Sequence, residues 1–210
     1  MLLVVSGPSG VGKGAVTKGL LRLHPEVRKS VSWTTRPPRP EEKDGEDYVF
    51  VSEEQFREHL QAGGFLEWAK VHRSWLYGTP AGPVRQALAE GTDIILEIDC
   101  QGARSVRSLV PLDAVLVFIA PPTWQALVDR LTARDTEVPE QLQRRLASAR
   151  RELSVHGPAM GMFQYVVVND KLQQAVDELT AILIAERQSA VRAMWREFGE
   201  ELLREADRDG

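Results

Sequence analysis

The sequence predicts an α/β fold, a parallel sheet with helices on both of its faces. Short, largely apolar runs recur at Leu2–Val5, Ile94–Asp99, Ala114–Ile119 and Tyr165–Val168, and unbroken apolar runs suit strands buried on both sides. Helix-like stretches separate them, and strands that alternate with helices pair in parallel. The first run leads directly into Gly7-Pro8-Ser9-Gly10-Val11-Gly12-Lys13, a glycine-rich turn between a buried strand and a helix.

The elements follow in order. A helix runs from Lys13 to about His24, and Pro25 marks its end. Residues 30–50 read as strand and turn pieces, because Pro37, Pro38 and Pro40 block helix. Ser52 is a good N-cap, and Gln55 three residues on completes a capping box for a helix that Gly63-Gly64 ends. Phe65–Val71 is a strand, followed by a loop to Tyr77-Gly78-Thr79. Pro83–Glu90 is a helix closed by Gly91, and a further helix lies near Gly102–Leu109. Thr123 caps a helix through Leu131. Pro139 starts another, with Leu142, Leu146, Ala149 and Leu153 spaced for one apolar face. From Lys171 the chain is helical to near its end.

A length of 210 residues suits one domain, or a core with inserted lobes. Apolar residues at 43% and charged residues at 27% are the composition of a globular chain. No apolar run reaches the ~18 residues that a membrane span needs, and the N-terminus lacks a basic leader, so a cytoplasmic protein is expected. The net charge of −4 argues against a nucleic-acid coat. The single cysteine, Cys100, forms no intramolecular disulfide or zinc cluster and reads as a small buried residue. Arg outnumbers Lys 20 to 6, which suits bidentate phosphate binding and follows equally from genome composition.

The turn at residues 7–13 matches G-x-x-x-x-G-K, the P-loop. Glycines let the backbone curl so that several N–H groups face one anion, the helix N-terminus adds its positive end, and Lys13 supplies a mobile charge. A nucleoside triphosphate follows as ligand. The hydroxyl that usually comes next, and often touches Mg²⁺, is absent: Gly14 and Ala15 stand there, and Thr17 is a poor substitute. The metal is then held mainly by phosphates and water, or by another side chain.

Residues 30–99 speak to the acceptor. Arg36 and Arg39 stand three apart in a proline-stiffened segment, and Asp44-Gly45-Glu46-Asp47-Tyr48 is a turn ending in a phenol. Together they make a clamp for a phosphate monoester, or else two surface arginines. Glu67 lies in an apolar strand, either at an edge facing water or reading a base. A carboxylate accepts the adjacent N1–H and N2–H₂ donors of guanine and meets an acceptor at adenine N1. Such a site rejects the wrong base because a mismatch leaves buried polar groups unpaired.

The stretches SGPSGVGK, SVSWTTRPPR, DGEDYVFVS, GGFLEWA, YGTP, ILEIDCQG, FIAPP and VVVND, in this order and spacing, resemble guanylate kinase over nearly all of residues 1–188. The resemblance implies transfer of the ATP γ-phosphoryl group to GMP with Mg²⁺, in purine nucleotide metabolism. Its fold would be a P-loop parallel sheet core (1–32, 80–125 and 160–188) with an inserted GMP-binding lobe (about 33–79) and a helical lid (about 126–159). It assigns Gly7, Pro8, Ser9, Gly10, Val11, Gly12, Lys13 and Gly14 to ATP, with Asn169 by the adenine. It assigns Arg36, Arg39, Tyr48 and Tyr77 to the GMP phosphate, and Glu67, Ser32 and Thr79 to guanine. Glu97 and Asp99 fall near the nucleoside and metal, with Asp99 a candidate to hold metal-bound water. Arg130, Arg134 and Arg145 belong to the lid and act with Lys13 in catalysis, or form a solvated basic face. Asp135 stands where the family usually has Gly.

Beyond about residue 189, Val191, Met194, Trp195, Phe198 and Leu202 keep helical spacing. This extension packs on the body or forms a dimer or partner surface, so a monomer or a homodimer is expected. Three rivals stand beside the kinase: an inactive guanylate-kinase-like binding module, a kinase for another small phosphorylated acceptor, and a regulatory GTPase. Lys13, Arg130 and Arg134 disfavour the first, Glu67 with Ser32 the second, and the lack of a separate N-K-x-D the third.

Overall fold

The computed structural model describes residues 1–71, 75–109, 114–133, 139–154 and 161–189. A five-stranded parallel sheet has the order β2-β7-β1-β8-β9. Its strands are β1 (Leu2–Ser6), β2 (Arg28–Lys29), β7 (Ile94–Glu97), β8 (Ala114–Ala120) and β9 (Tyr165–Val168). The four apolar runs form four of these strands, but β9 is an edge strand with Val166 and Val168 exposed rather than buried on both sides. The sequence reading missed β2, a two-residue polar strand on the sheet edge. An edge strand this short needs no apolar run, so periodicity carries no sign of it.

The sheet alternates its side chains between two cores, as the period of two requires. Leu3, Val5, Ile95, Val115, Val117 and Ile119 face α1 (Lys13–Leu23) and α7 (Leu172–Arg187). α5 (Trp124–Thr132) and α6 (Pro139–Ser154) pack on the same face, and Leu142, Leu146, Ala149 and Leu153 do lie on one apolar stripe against it. Leu2, Val4, Ile94, Leu96 and Leu116 face α3 (Ala81–Ala89) and α4 (Cys100–Leu109). Because all five strands are parallel, the loops leaving β1, β7, β8 and β9 emerge at one edge, where open α/β sheets bind ligands.

A second sheet of four strands has the order β4-β3-β6-β5. It comprises β3 (Trp33–Thr34), β4 (Val49–Phe50), β5 (Phe65–Val71) and β6 (Trp75–Pro80), with α2 (Glu53–Gln61) between β4 and β5. The capping box of α2 is present, with both the Ser52 and Gln55 side chains bonded as expected. Trp75 and Leu76, expected in a loop, pair instead with Val71 and Lys70 in an antiparallel hairpin. That register sets Tyr77 opposite Ala69 and Thr79 opposite Glu67. α3 starts two residues before Pro83, which the first turn tolerates because its missing N–H has no helical partner to lose. α4 starts at Cys100 because the Asp99 side chain accepts the Gly102 N–H at 2.8 Å. His72, Arg73, Ser74, Arg134, Asp135 and the extension beyond Ser189 lie outside the described residues.

Candidate active site

The P-loop wraps the C-terminal end of β1. Gly7 has φ of 142° and would drive a Cβ into the backbone carbonyl of Ile119 on β8. Gly12 has φ of 97°, and a Cβ there would stand 2.5 Å from Asn169 Nδ2. Those positions accept glycine alone because a side chain is refused by both the backbone angle and the neighbour. Lys13 lies across the loop, its ammonium donating to the carbonyls of Gly7 (2.7 Å) and Pro8 (3.3 Å).

Three groups from distant elements fasten the loop. Asn169, buried at the end of β9, donates to the Val11 carbonyl at 2.8 Å. Arg130 on α5 donates to the carbonyls of Val11 (3.3 Å) and Asn169 (2.8 Å). Arg145 on α6 is buried and reaches Ser9 Oγ at 3.1 Å. Neither Arg130 nor Arg145 therefore lies on a merely solvated face. Thr17 is buried on the core side of α1, which confirms it as a poor source of a phosphate-side hydroxyl.

The loop after β7 brings carboxylates to the same edge. A Cβ on Gly14 would lie 3.5 Å from both carboxylate oxygens of Glu97. Glu97 therefore faces the first turn of α1, and its charge also reaches the Tyr48 phenol. Cys100 is buried as expected, and Ser6 Oγ donates to its Sγ at 3.6 Å. Burial pushes that thiol up to about 11. Glu152 on α6 was not foreseen. Its carboxyl accepts from Ser148 Oγ at 2.9 Å and is pushed upward by burial, while the Lys13 charge opposes the shift.

The second sheet presents the remaining groups. Glu67 is only 7% exposed although β5 is an edge strand, which excludes the water-facing reading. Its Oε1 accepts from the fully buried Thr79 hydroxyl at 2.5 Å. Its Oε2 would stand 2.6 Å from a Cβ on Gly102, so only glycine at the start of α4 leaves room for it. Burial, helped by the charge of Asp99 and opposed by the Thr79 hydroxyl, raises the Glu67 carboxyl from 4.5 to about 7. Ser32 leads into β3, and its carbonyl accepts the Val49 N–H at 2.9 Å.

Arg36 and the tyrosines come together as foreseen. Arg36 Nε donates to the Tyr77 hydroxyl at 3.0 Å, and its guanidinium lies 5.6 Å from the centre of the Tyr48 ring. The rings of Tyr48 and Tyr77 meet edge to face at 5.8 Å. Burial, with the Glu97 charge next, raises the Tyr48 phenol, so it stays a neutral donor. Glu42, which the sequence reading passed over, accepts from Arg36 Nη2 at 2.8 and 2.9 Å. Two ties join this sheet's loop to the core: Lys18 on α1 to Asp47 at 2.9 Å, and Lys29 on β2 to the Glu46 carbonyl at 2.9 Å.

A family model described as guanylate kinase matches residues 1–186. The chain belongs to the guanylate kinase family. A guanylate kinase of Cutibacterium acnes is 52% identical over 180 residues, 86% of this chain and 88% of that protein. One from Symbiobacterium thermophilum is 50% identical over 192 residues, 91% and 88% of the two chains. The crystal structure of guanylate kinase from Anaplasma phagocytophilum superposes with a TM-score of 0.75 at 30% identity, covering 94% of this chain and 95% of that one. A P-loop beside a sheet that holds a buried carboxylate and an Arg–Tyr cluster is thus the arrangement of this guanylate kinase.

Proposed function

We propose that this guanylate kinase, which transfers the ATP γ-phosphoryl group to GMP, reads guanine with Glu67 and holds the acceptor phosphate with Arg36, Arg39, Tyr48 and Tyr77. The buried Glu67 carboxylate, fixed by Thr79 and closed in by Gly102, carries this reading. It is an acceptor with a set direction, and adjacent N–H donors on a purine edge satisfy it. Ser32 and Thr79 border the same base. Residues of about 33–79 then act as the acceptor lobe, and about 126–159 as a lid that brings Arg145 to the donor phosphates, with Arg134 as a further cation from that region.

The donor phosphates lie in the cradle of residues 7–14, with the adenine beside Asn169. An oxygen of the GMP phosphate attacks the γ-phosphorus while the bond to the β–γ bridging oxygen breaks and ADP leaves. The attacking oxygen is already anionic, so no strong general base is needed. The chain's task is to align the two phosphates and set cations where charge grows. Lys13, Arg130 and Arg145 supply those cations, and closure excludes water.

Among the described residues no group of three or more His, Cys, Asp or Glu could hold a metal ion by itself. The sheet edge does offer carboxylate oxygens, from Glu97 opposite Gly14 and from Asp99. That donor set fits Mg²⁺, which keeps phosphate and water ligands and takes one or two carboxylates. Glu97 and Asp99 would hold it, and it would neutralise charge on the donor phosphates.

The test is ADP production from ATP with GMP, AMP, CMP and UMP in parallel, in wild type and Glu67→Ala. GMP alone should drive turnover in wild type, and the variant should lose that preference. Equal use of several monophosphates by wild type would refute the Glu67 reading. Binding of GMP without turnover would instead make the chain a binding module.

A further inference from the structure

Glu42 has no place in the site as proposed above, yet it touches both of its arginines. Oε1 and Oε2 accept from Arg36 Nη2 at 2.8 and 2.9 Å, and Oε2 also accepts the backbone N–H of Arg39 at 2.8 Å. Arg39 Nη1 stands 3.4 Å from Oε1. The Arg36 and Glu42 side chains are each only 11% exposed, whereas that of Arg39 is 42% exposed. One carboxylate therefore fastens the part-buried arginine to the backbone that carries the exposed one.

The sequence explains why a side chain does this work. Pro37, Pro38 and Pro40 remove backbone donors from the segment, so few main-chain bonds can fix its shape. The Glu42 N–H donates to the Arg39 carbonyl at 3.1 Å, which closes a turn, and the Glu42 carboxylate takes the Arg39 N–H in return. The other two Arg36 nitrogens are held as well, Nε by the Tyr77 hydroxyl and one N–H of Nη1 by the Pro37 carbonyl at 2.7 Å. The guanidinium plane is thus set from several sides.

Resting on the assignment of Arg36 and Arg39 to the GMP phosphate, we propose that Glu42 is the positioning residue of that clamp. It orients the Arg36 fork and sets its spacing from Arg39 before substrate arrives. Two opposed effects follow from a carboxylate here. It lowers the net charge of the clamp, which weakens phosphate binding, and it fixes two long side chains, which strengthens it. The orienting effect dominates: both Glu42 oxygens hold Nη2 while Tyr77 and Pro37 hold the other two nitrogens, which sets the direction of a part-buried guanidinium, and the loss of net charge is screened at the exposed Arg39.

Glu42→Gln removes the charge at constant shape and puts an amide donor against donors. The expected result is a rise in KM for GMP of about tenfold or more, with kcat within about threefold and KM for ATP unchanged. Binding of guanosine, which has no phosphate, should be unchanged by calorimetry while that of GMP weakens. A collapsed lobe would weaken both, and equal losses overturn the proposal. A KM for GMP that stays level or falls also overturns it, since the carboxylate would then be inert or a competitor. Glu42→Asp keeps the charge with a shorter reach and should lie between the two. A wild-type KM in that variant would show that charge alone matters and refute positioning. Arg36→Ala and Arg39→Ala in the same assay separate these outcomes from failure of the phosphate assignment itself, which would appear as an unchanged KM for GMP in both variants.

Discussion

Replacing Glu67 by Gln should stabilise the free protein above neutral pH while damaging its function. The Glu67 carboxyl is raised from 4.5 to about 7, mainly by burial, so the folded chain binds this proton more tightly than the unfolded chain. A carboxyl shifted upward contributes stability that is complete below pH 4.5 and lost as pH rises through about 7. At ~1.4 kcal/mol for each tenfold change in proton affinity, the loss approaches about 3 kcal/mol by pH 8. Gln does not titrate and can still accept the Thr79 hydroxyl, so it escapes that loss. Urea unfolding of both proteins at pH 4.5, 6 and 8 measures the difference. The advantage of the variant should be within about 0.5 kcal/mol at the lowest pH and reach about 2–3 kcal/mol at the highest. A difference that stays constant with pH would show that burial does not penalise this carboxylate, and the argument would fail. In the proposed site the same buried charge would make base recognition selective, which ties the cost in stability to that role.

Several further outcomes follow. GMP affinity in wild type should weaken as pH falls through about 7, because a protonated Glu67 cannot accept both base donors; titration calorimetry at several pH values checks this, and Glu67→Gln should lose that contribution. Lys13→Met should lower kcat about a hundredfold or more while leaving GMP binding intact. Arg145→Ala, which removes the contact to Ser9, should lower kcat/KM for ATP by roughly tenfold or more. Gly19→Ala places a methyl against Val176 where α1 meets α7 and should cost about 1–3 kcal/mol. Val176→Ala in the same chain should recover part of that, and simple additivity would refute the proposed clash.

Much of the fold was legible in the sequence because its signals are local. Four strands announce themselves as apolar runs, three of them buried and one, β9, at the sheet edge, and the capping box of α2 depends on residues three apart. The P-loop is one contiguous stretch whose glycines each meet a local backbone demand. Where signals were weak, the reading slipped. β2 is short and polar. The start of β6 is set by its pairing with β5.

The sequence by itself determined the family, the parallel sheet, the glycine-rich turn after β1 and the residues proposed for the acceptor lobe. Tertiary structure alone decided how buried each of those residues is, and what it touches. Glu67 sits in an edge strand, where a carboxylate ordinarily faces water. It is shut in because α4, more than thirty residues later in the chain, brings Gly102 against it. Glu42 gains its place because the proline-rich turn folds it back onto Arg36. Glu97 belongs with Gly14 because β7 lies beside β1. For Glu67 and Glu97, burial and partnership are long-range properties that arise when the chain closes on itself, whereas Glu42 and Arg36 stand six residues apart and only the shape of the turn between them was hidden.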